Sequence, residues 1–264
     1  MNQRDQSESP RPLATVIMAA GKGKRMNNPE MAKVLYQVNG RPLIDYVVSL
    51  ALQLESAKTV VVVGHRRDLV VRHVAAQFAG CIAFAEQHEQ LGTGHAVLQT
   101  GKALHGFAGD VLVLSGDVPL LSKETLTRLI TEHRRHRPVA TILTAELENP
   151  AGYGRILRQP DGSVQRIVED KDASELEKAV KEINTGIYVF DKVGLFDALQ
   201  HLGSHNVQNE YYLTDVFESF WRKRQRVLAV KASNYNEVRG VNTPEELREA
   251  QEVYSRRSMS SGNA

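Results

Sequence analysis

Apolar residues fall along this chain in two kinds of run. "LATVIMAA" (residues 13–20), "TVVVVG" (59–64), "CIAFA" (81–85) and "DVLVLSGD" (110–117) are short, almost unbroken and rich in β-branched residues, the pattern of strands buried on both faces. Between them the spacing changes to that of helices. Residues 42–56 carry Leu43, Ile44, Val47, Val48, Ala51 and Leu54 on one helical face, and 67–78, 94–104 and 123–135 read as further helices. Fully apolar strands alternating with helices specify a parallel sheet covered on both sides, a Rossmann-like doubly wound unit.

The second half follows another rule. "VATILTAEL", "GRILRQPDGSVQRIVE" and "EINTGIYVF" are strand patterns with less helix between them, and "PDGS" supplies the turn of a hairpin. A mixed, mostly parallel central sheet with an antiparallel addition is therefore expected, closed by helices near 195–202, 212–223 and 244–254. Residues 1–12 are polar with two prolines and 255–264 are polar and serine-rich, so both are expected as flexible tails around one body from 13 to 254. No internal repeat is visible.

Composition narrows the function. The 264 residues are 42% hydrophobic and 24% charged, ordinary for a globular protein, and 33 basic against 31 acidic residues give a net charge of +2. Such a balance supplies no electrostatic footprint for nucleic acid, so no nucleic-acid partner is expected. No run approaches the roughly 20 apolar residues of a membrane span, and the N-terminus has no apolar signal core; no membrane partner and a cytoplasmic location are expected. The one cysteine, Cys81, lies in an apolar run and is expected to be a buried thiol. The nine histidines show no metal-ligand spacing. "HRRHR" (133–137), at a helix end, complements the helix dipole on a solvated face.

The candidate chemistry begins after the first strand, in "AAGKGKRMNNPEMAKVLY" (19–36). A glycine-rich turn between strand and helix can aim backbone amides at an anion. The dinucleotide fingerprint fails, because Met26 stands where the third glycine belongs, and the Gly-Lys-Ser/Thr of a Walker loop is missing. What remains is concentrated positive charge: Lys22, Lys24 and Arg25 in the turn and Lys33 beyond an Asn-Pro break. A charge cluster alone is commonly a solvated loop. Flanked by glycines at a strand end, it suits a polyphosphate such as a nucleoside triphosphate.

Asp117 ends the fourth strand in "LSGDVPL", where a carboxylate faces the same crevice and can hold a hard cation such as Mg2+; an N-cap or turn aspartate is the bland alternative. In "EQHEQLGTGHA" (86–96), Gln87 and Gln90 carry amides that both donate and accept, suited to a nucleobase edge, and Gly92, Thr93 and Gly94 allow close backbone approach. "YGRI", "VEDKDA" and "INTGIY" put Gly154, Glu169 and Asn184 at strand ends, where polar groups suit sugar hydroxyls, although each alone is an ordinary turn residue. In "RGVNTPEEL", Thr243 is a natural N-cap, which leaves Asn242 with another task.

Together and in this order, "MAAGKGKRM", "AKVL", "EQLGTGHA", "GDVPL", "YGRI", "IVEDKDA", "INTGIY" and "GVN" resemble the sugar-1-phosphate nucleotidyltransferases, and among them the uridylyltransferase domain of the bacterial N-acetylglucosamine-1-phosphate uridylyltransferases. The resemblance covers about 13–254. It implies an α/β, Rossmann-like pyrophosphorylase fold with a nucleotide-binding half (13–137) and an antiparallel sugar-binding addition within 138–254. It also implies a Mg2+-dependent enzyme that joins UTP to a sugar 1-phosphate, N-acetylglucosamine 1-phosphate above all, and releases pyrophosphate. Residue by residue, Ala20, Gly21, Lys22, Gly23 and Arg25 would embrace the triphosphate, and Lys33 would lie by the α-phosphate. Gln87, Gln90, Gly92 and Thr93 would recognise uracil, Asp117 and Asn242 would hold Mg2+, and Gly154, Glu169, Asn184 and Thr185 the sugar. Rival readings are another nucleoside triphosphate or sugar 1-phosphate, or a non-catalytic nucleotide-sugar-binding subunit; the presence of Arg25, Lys33, Asp117 and Asn242 argues against the last. The chain departs from the family at Lys24, usually Thr; at "NPEMAK", where Leu-Pro-Lys is usual and "NNPEM" reads a residue longer, so that the identity of Lys33 is firmer than its position; and at Ser115, where a Tyr often precedes Gly-Asp. It carries no C-terminal left-handed β-helix, so acetyl transfer is not expected.

Overall fold

A computed structural model describes residues 11–261; the expected tail positions 1–10 and 262–264 lie outside the described residues. The chain opens with strand β1 (Leu13–Ala19), which runs straight into the glycine-rich loop. A two-residue ribbon follows, β2 (Gln37–Val38) and β3 (Arg41–Pro42), and then helix α1 (Leu43–Gln53). Two more strand–helix pairs come next: β4 (Lys58–Val63) with α2 (Arg67–Gln77), and β5 (Ala83–Glu86) with α3 (Thr93–Leu98). They lead to β6 (Asp110–Ser115) and α4 (Lys123–His136).

The second half holds β7 (Ala140–Glu146), the hairpin β8 (Arg155–Arg158) and β9 (Val164–Val168), and a short α5 (Glu175–Lys178). Beyond these are β10 (Glu182–Asp191), α6 (Lys192–Leu199), α7 (Asp215–Arg222), β11 (Val227–Lys231) and α8 (Pro244–Ser261).

Among the described residues one nine-stranded sheet runs β11-β7-β10-β6-β1-β4-β5, with the β8–β9 hairpin attached to β10. β1, β4, β5 and β6 are mutually parallel, β10 is antiparallel to both neighbours, and β11 is parallel to β7. This is the α/β Rossmann-like fold with a mixed, mostly parallel sheet and an antiparallel addition that the pattern specifies. Alternate strand residues explain its two cores. Ile17, Val61, Val63, Leu112 and Leu114 pack under α1, α2 and α4, while Val16, Val60, Val62, Val111 and Val113 pack under α3, α6 and α7.

Several expectations are corrected. Cys81 is exposed: it lies in the turn after α2, where its N–H donates to Phe78 O (3.2 Å), and the strand begins only at Ala83. The apolar run extends further than the sheet partner, because β4 pairs with residues 83–86 alone. The helix expected over 94–104 ends at Leu98 and tightens into a 3-10 turn at Gln99–Gly101. His133 does not lie on a solvated face; it is buried and its Nδ1 bonds Thr141 Oγ1 at 2.9 Å. α8 continues past Tyr254 to Ser261. Arg11 and Pro12, assigned to the tail by composition, are engaged: Arg11 pairs with Asp191 (2.6 Å) and Pro12 O accepts from Asp110 N (2.9 Å). Polarity and two prolines made these residues read as tail, but the Arg11 guanidinium lies 3.3 Å from the buried Asp110 carboxylate.

Candidate active site

The carboxyl ends of β1 and β6 lie side by side, since the two strands pair in parallel from Leu13/Asp110 to Met18/Ser115. Whatever follows each strand therefore shares one crevice. After β1, Gly23 takes φ +59° and caps a 3-10 turn over Lys24–Met26 that buries Met26 and leaves Lys22, Lys24 and Arg25 exposed. Gly21 is exposed with open space beside it, and Ala20 is buried, its carbonyl accepting from His65 N (3.1 Å). Among the described residues the side chains of Lys22, Lys24 and Arg25 have no hydrogen-bond or ion-pair partner, so three cations stand at this mouth without a counter-charge.

The unusual "NPEMA" segment has a local anchor. Pro29 O accepts from Arg66 Nε (3.3 Å) and lies 3.0 Å from His65 Nε2, and Glu30 pairs with Arg66. Pro29 and Glu30 thus fold onto the loop after β4, and Ala32, buried, brings the chain back to a 3-10 turn that begins at Lys33. There Lys33 meets both groups expected to hold a cation: Nζ pairs with Asp117 Oδ2 and donates to Asn242 Oδ1 at 3.0 Å.

Asn242 is freed for this contact by the cap beside it. Thr243 Oγ1 accepts from Glu246 N (3.1 Å), and the Glu246 carboxylate accepts from Thr243 N (3.1 Å) and Asn242 N (2.6 Å), a reciprocal cap with Pro244 at the first helical position. Val241 N donates to Asp117 O (2.9 Å), tying "GVN" to "GD". Asp117 and Asn242 offer oxygens to a hard cation, with the remaining positions open to phosphate or water. Among the described residues no three His, Cys, Asp or Glu side chains gather as a self-sufficient metal site. A cation here would have to share its coordination with a ligand.

On the β4–β5 side, Gln87 is buried and its amide is partly spent: Nε2 donates to Gly92 O (2.9 Å) and lies 3.1 Å from His95 Nδ1. Gln87 therefore shapes the loop and keeps only its carbonyl oxygen for a ligand, a narrower role than both donating and accepting. Gln90 Nε2 donates to Gln87 O (3.1 Å), and Thr93, exposed at the start of α3, accepts from Leu213 N at its hydroxyl (3.0 Å). Gly92, at φ +111°, lies so close to Tyr211 that an added methyl would sit 2.6 Å from its carbonyl oxygen.

The second-half residues gather as a separate group. A methyl at Gly154 would lie 3.4 Å from both Asn184 Cβ and Glu169 Oε2, so these three share one corner. Asn184 sits where the β10–β7 register shifts between Asn184 and Tyr188, and Gly186 takes φ +77° in that bulge. The bulge turns Asn184 Nδ2 onto Tyr188 Oη (2.8 Å) and its Oδ1 onto Gly186 N (3.1 Å). Thr185 points elsewhere: its hydroxyl donates to Leu143 O (2.6 Å), into the sheet. Glu169 accepts from Thr214 Oγ1 (2.9 Å), and burial, aided by Asp172, Asp170 and Glu210, raises its pKa. It also lines a cleft of about 690 Å3 with Asp172, Tyr212, Asp215, His201 and His205.

Sequence reasoning passed over three contributors here. Arg155, buried, donates to Asp170 Oδ1 (3.0 Å) and to Tyr153 O, fixing the loop that carries Glu169. Thr214 and Tyr211 come from "EYYLTD", whose polar residues ahead of an apolar helix face were the available signal.

A parallel sheet with a basic glycine loop at the end of its first strand is the architecture of a nucleotide-binding α/β protein. More narrowly, the chain belongs to the nucleotidyl transferase family, whose sequence profile matches residues 14–252. It is 48% identical over 247 residues to the "Bifunctional protein GlmU" of Pelotomaculum thermopropionicum, covering 94% of this chain and 53% of that protein. It is also 48% identical over 242 residues to the protein of the same name from Streptococcus suis, covering 92% and 52%. The chain thus spans about half the length of these relatives. In three dimensions it is similar to a UDP-glucose pyrophosphorylase solved with UDP-glucose, with TM-score 0.75 over 93% of this chain and 99% of that one, at 18% identity, which speaks to the fold. Among the described residues no helix is long and apolar enough to cross a membrane.

Proposed function

We propose that this chain is a uridylyltransferase that joins UTP and N-acetylglucosamine 1-phosphate into UDP-N-acetylglucosamine and pyrophosphate, acting in the cytoplasm. The observation that carries the reading is the meeting of Lys33, Asp117 and Asn242 beside a glycine loop whose three cations have no ion-pair partner among the described residues. Three stretches far apart in sequence converge there, and a polyphosphate with its cation accounts for all of them. The ordered motif set and near-half identity to the relatives support the choice of nucleotide and sugar.

In this reading Ala20, Gly21, Lys22, Gly23 and Arg25 hold the triphosphate. Gln90, Gly92, Thr93 and the carbonyl oxygen of Gln87 face uracil, and Gly154, Glu169 and Asn184 face the sugar. Thr185 drops out as a direct sugar ligand because its hydroxyl is engaged with Leu143 O. Asp117 and Asn242 would hold Mg2+, which when bound would supply charge neutralisation for the phosphates. Lys33 leaves its ion pair with Asp117 for the phosphates. No protein nucleophile is required: the sugar phosphate oxygen attacks the α-phosphorus in line while Arg25 and Lys33 stabilise the charge that develops on the phosphoryl oxygens.

Pyrophosphate release, measured over a grid of nucleoside triphosphates and sugar 1-phosphates with and without Mg2+, tests this. Turnover is expected with UTP and N-acetylglucosamine 1-phosphate and only with the cation. Folded protein that releases no pyrophosphate anywhere on the grid would overturn the reading.

A further inference from the structure

Thr214 is almost fully buried at the foot of α7, and its hydroxyl is the one hydrogen-bond donor to the Glu169 carboxylate among the described residues. The chain just before it is bonded to the opposite side of the crevice. Tyr211 N donates to Leu91 O (2.7 Å), Tyr211 O accepts from Gly94 N (2.8 Å), and Leu213 N donates to Thr93 Oγ1 (3.0 Å). The approach is as close as backbone allows: a methyl at Gly92 would lie 2.6 Å from Tyr211 O, and one at Gly94 would collide with Leu202. One short segment is therefore stitched to the loop proposed for the base and ends in the side chain that holds the carboxylate proposed for the sugar.

We propose that Thr214 is a positioning residue: it aims the Glu169 carboxylate toward the sugar substrate and registers it, through Tyr211–Leu213, against the 87–94 loop. The proposal rests on the functional reading above and goes beyond it, since Thr214 need touch neither substrate. The physical need is plain. Glu169 is crowded by acidic groups from every side: Asp170 and Asp172 in its own loop, and Glu210 and Asp215 from the chain leading into α7. The Tyr188 and Tyr212 hydroxyls face it from β10 and from the same stitched segment. Left alone, such a carboxylate takes up a proton or turns toward solvent. A hydroxyl that only Glu169 claims opposes this upward pull on its pKa and holds the carboxylate in one rotamer. A second tie acts alongside, Tyr212 Oη donating to Asp172 Oδ2 (3.1 Å).

The test compares Thr214→Val, which keeps the shape and removes the donor, with Thr214→Ser, which keeps the donor. Thr214→Val is expected to raise KM for the sugar 1-phosphate about tenfold or more, the weight of one hydrogen bond to a charged group, with KM for UTP within about twofold. Thr214→Ser should return the sugar KM to near the parent value. Equal losses for both substrates, an unchanged sugar KM, or no rescue by serine in folded protein would overturn the proposal. A measurement without substrates separates it from the functional reading: in a carboxyl-13C titration, with the signal assigned through Glu169→Gln, Glu169 should titrate at higher pH in Thr214→Val than in the parent. An unmoved Glu169 titration refutes the positioning role whatever the enzyme turns over. A parent chain silent on the substrate grid refutes the functional reading and leaves this test standing.

Discussion

Replacing Gly23 by alanine tests whether the glycine loop and Lys33 form one rigid unit. Gly23 lies at φ +59°, so an L-residue there costs about 1–2 kcal/mol in backbone strain. The added methyl would also lie 2.8 Å from Lys33 Cβ, a stem atom fixed to the backbone and unable to swing aside. Relief requires the loop and the 3-10 turn at Lys33 to separate by more than half an ångström, from a van der Waals contact of about 3.5 Å. The combined cost is about 2–3 kcal/mol. For a domain of this size that lowers Tm by about 4–10 °C. Lys33 Nζ, held by Asp117 and Asn242 at the far end of the same side chain, moves with its stem. A misplacement approaching 1 Å at a charge-stabilising group costs about a hundredfold in kcat. Gly21→Ala is the internal control, because its neighbourhood is open and its φ is not positive. It should leave Tm unchanged, so that any loss of turnover reports a substrate approaching the backbone. The measurements are thermal unfolding by circular dichroism and steady-state pyrophosphate release for both variants. Gly23→Ala turning over within about threefold of the parent would refute the reasoning, since the loop could then move without disturbing Lys33.

Three further outcomes are expected. Asp117→Asn should cut kcat at least a hundredfold and also lower stability by up to about 3 kcal/mol, because it leaves the largely buried Lys33 ammonium without its counter-charge; an active variant with unaltered Mg2+ dependence in a metal titration would count against the cation site. Thr185→Val should destabilise the chain by about 1–2 kcal/mol in urea, by leaving Leu143 O without its donor, and should leave the sugar KM within about twofold; a raised KM with unchanged stability would place the hydroxyl on the sugar after all. Asp215, its pKa pushed up to about 6 by burial and then by Glu169, Glu218 and Asp172, is protonated more readily in the folded than in the unfolded chain. Its favourable contribution is thus complete below about pH 4 and lost as pH rises through 6, so Asp215→Asn should raise Tm at pH 8 but not at pH 4. The two-unit shift corresponds to at most about 3 kcal/mol, nearer 1 after solvent screening, and equal Tm changes at both pH values would refute the sign.

The legible parts of the sequence are those where one local rule acts alone. Continuous apolar runs marked β1, β4 and β6, because a parallel sheet needs both faces apolar; the Pro-Asp-Gly-Ser turn marked the β8–β9 hairpin; and Thr243-Pro-Glu-Glu marked the start of α8. Opaque positions depend on what lies across space. Cys81 reads as strand because its run is apolar, but β4 offers partners only to residues 83–86. "INTGIY" reads as a strand end, whereas Asn184–Gly186 form a bulge within a continuous strand, a feature set by the competing registers of β7, β8 and β6 along β10. β11 went unread because Val227–Lys231 is half-exposed at the sheet edge and carries Lys231 among its apolar residues. Gln87 was legible as a loop residue of the right type, while the spending of its amide on Gly92 and His95 belongs to the fold alone.

The "NPEMA" stretch shows how such context settles a question that spacing leaves open. By sequence the segment is longer than the family's usual loop, which puts the landing point of Lys33 in doubt. In the fold the surplus goes outward: Pro29 and Glu30 are taken up by His65 and Arg66, which belong to the turn after β4, and Ala32 is drawn back into the core. The turn after β4 is in its turn registered to the glycine loop by His65 N on Ala20 O. The insertion is therefore closed into a side loop whose two ends are fixed independently, one by Gly23 and Met26, the other by Ala32 and Val34. Because loop-closure entropy grows only slowly with length, an added residue in such a loop costs only about 0.1 kcal/mol and leaves both ends in register. Lys33 then reaches Asp117 and Asn242 because of where Ala32 is buried and Gly23 presses, and the number of residues between them is secondary.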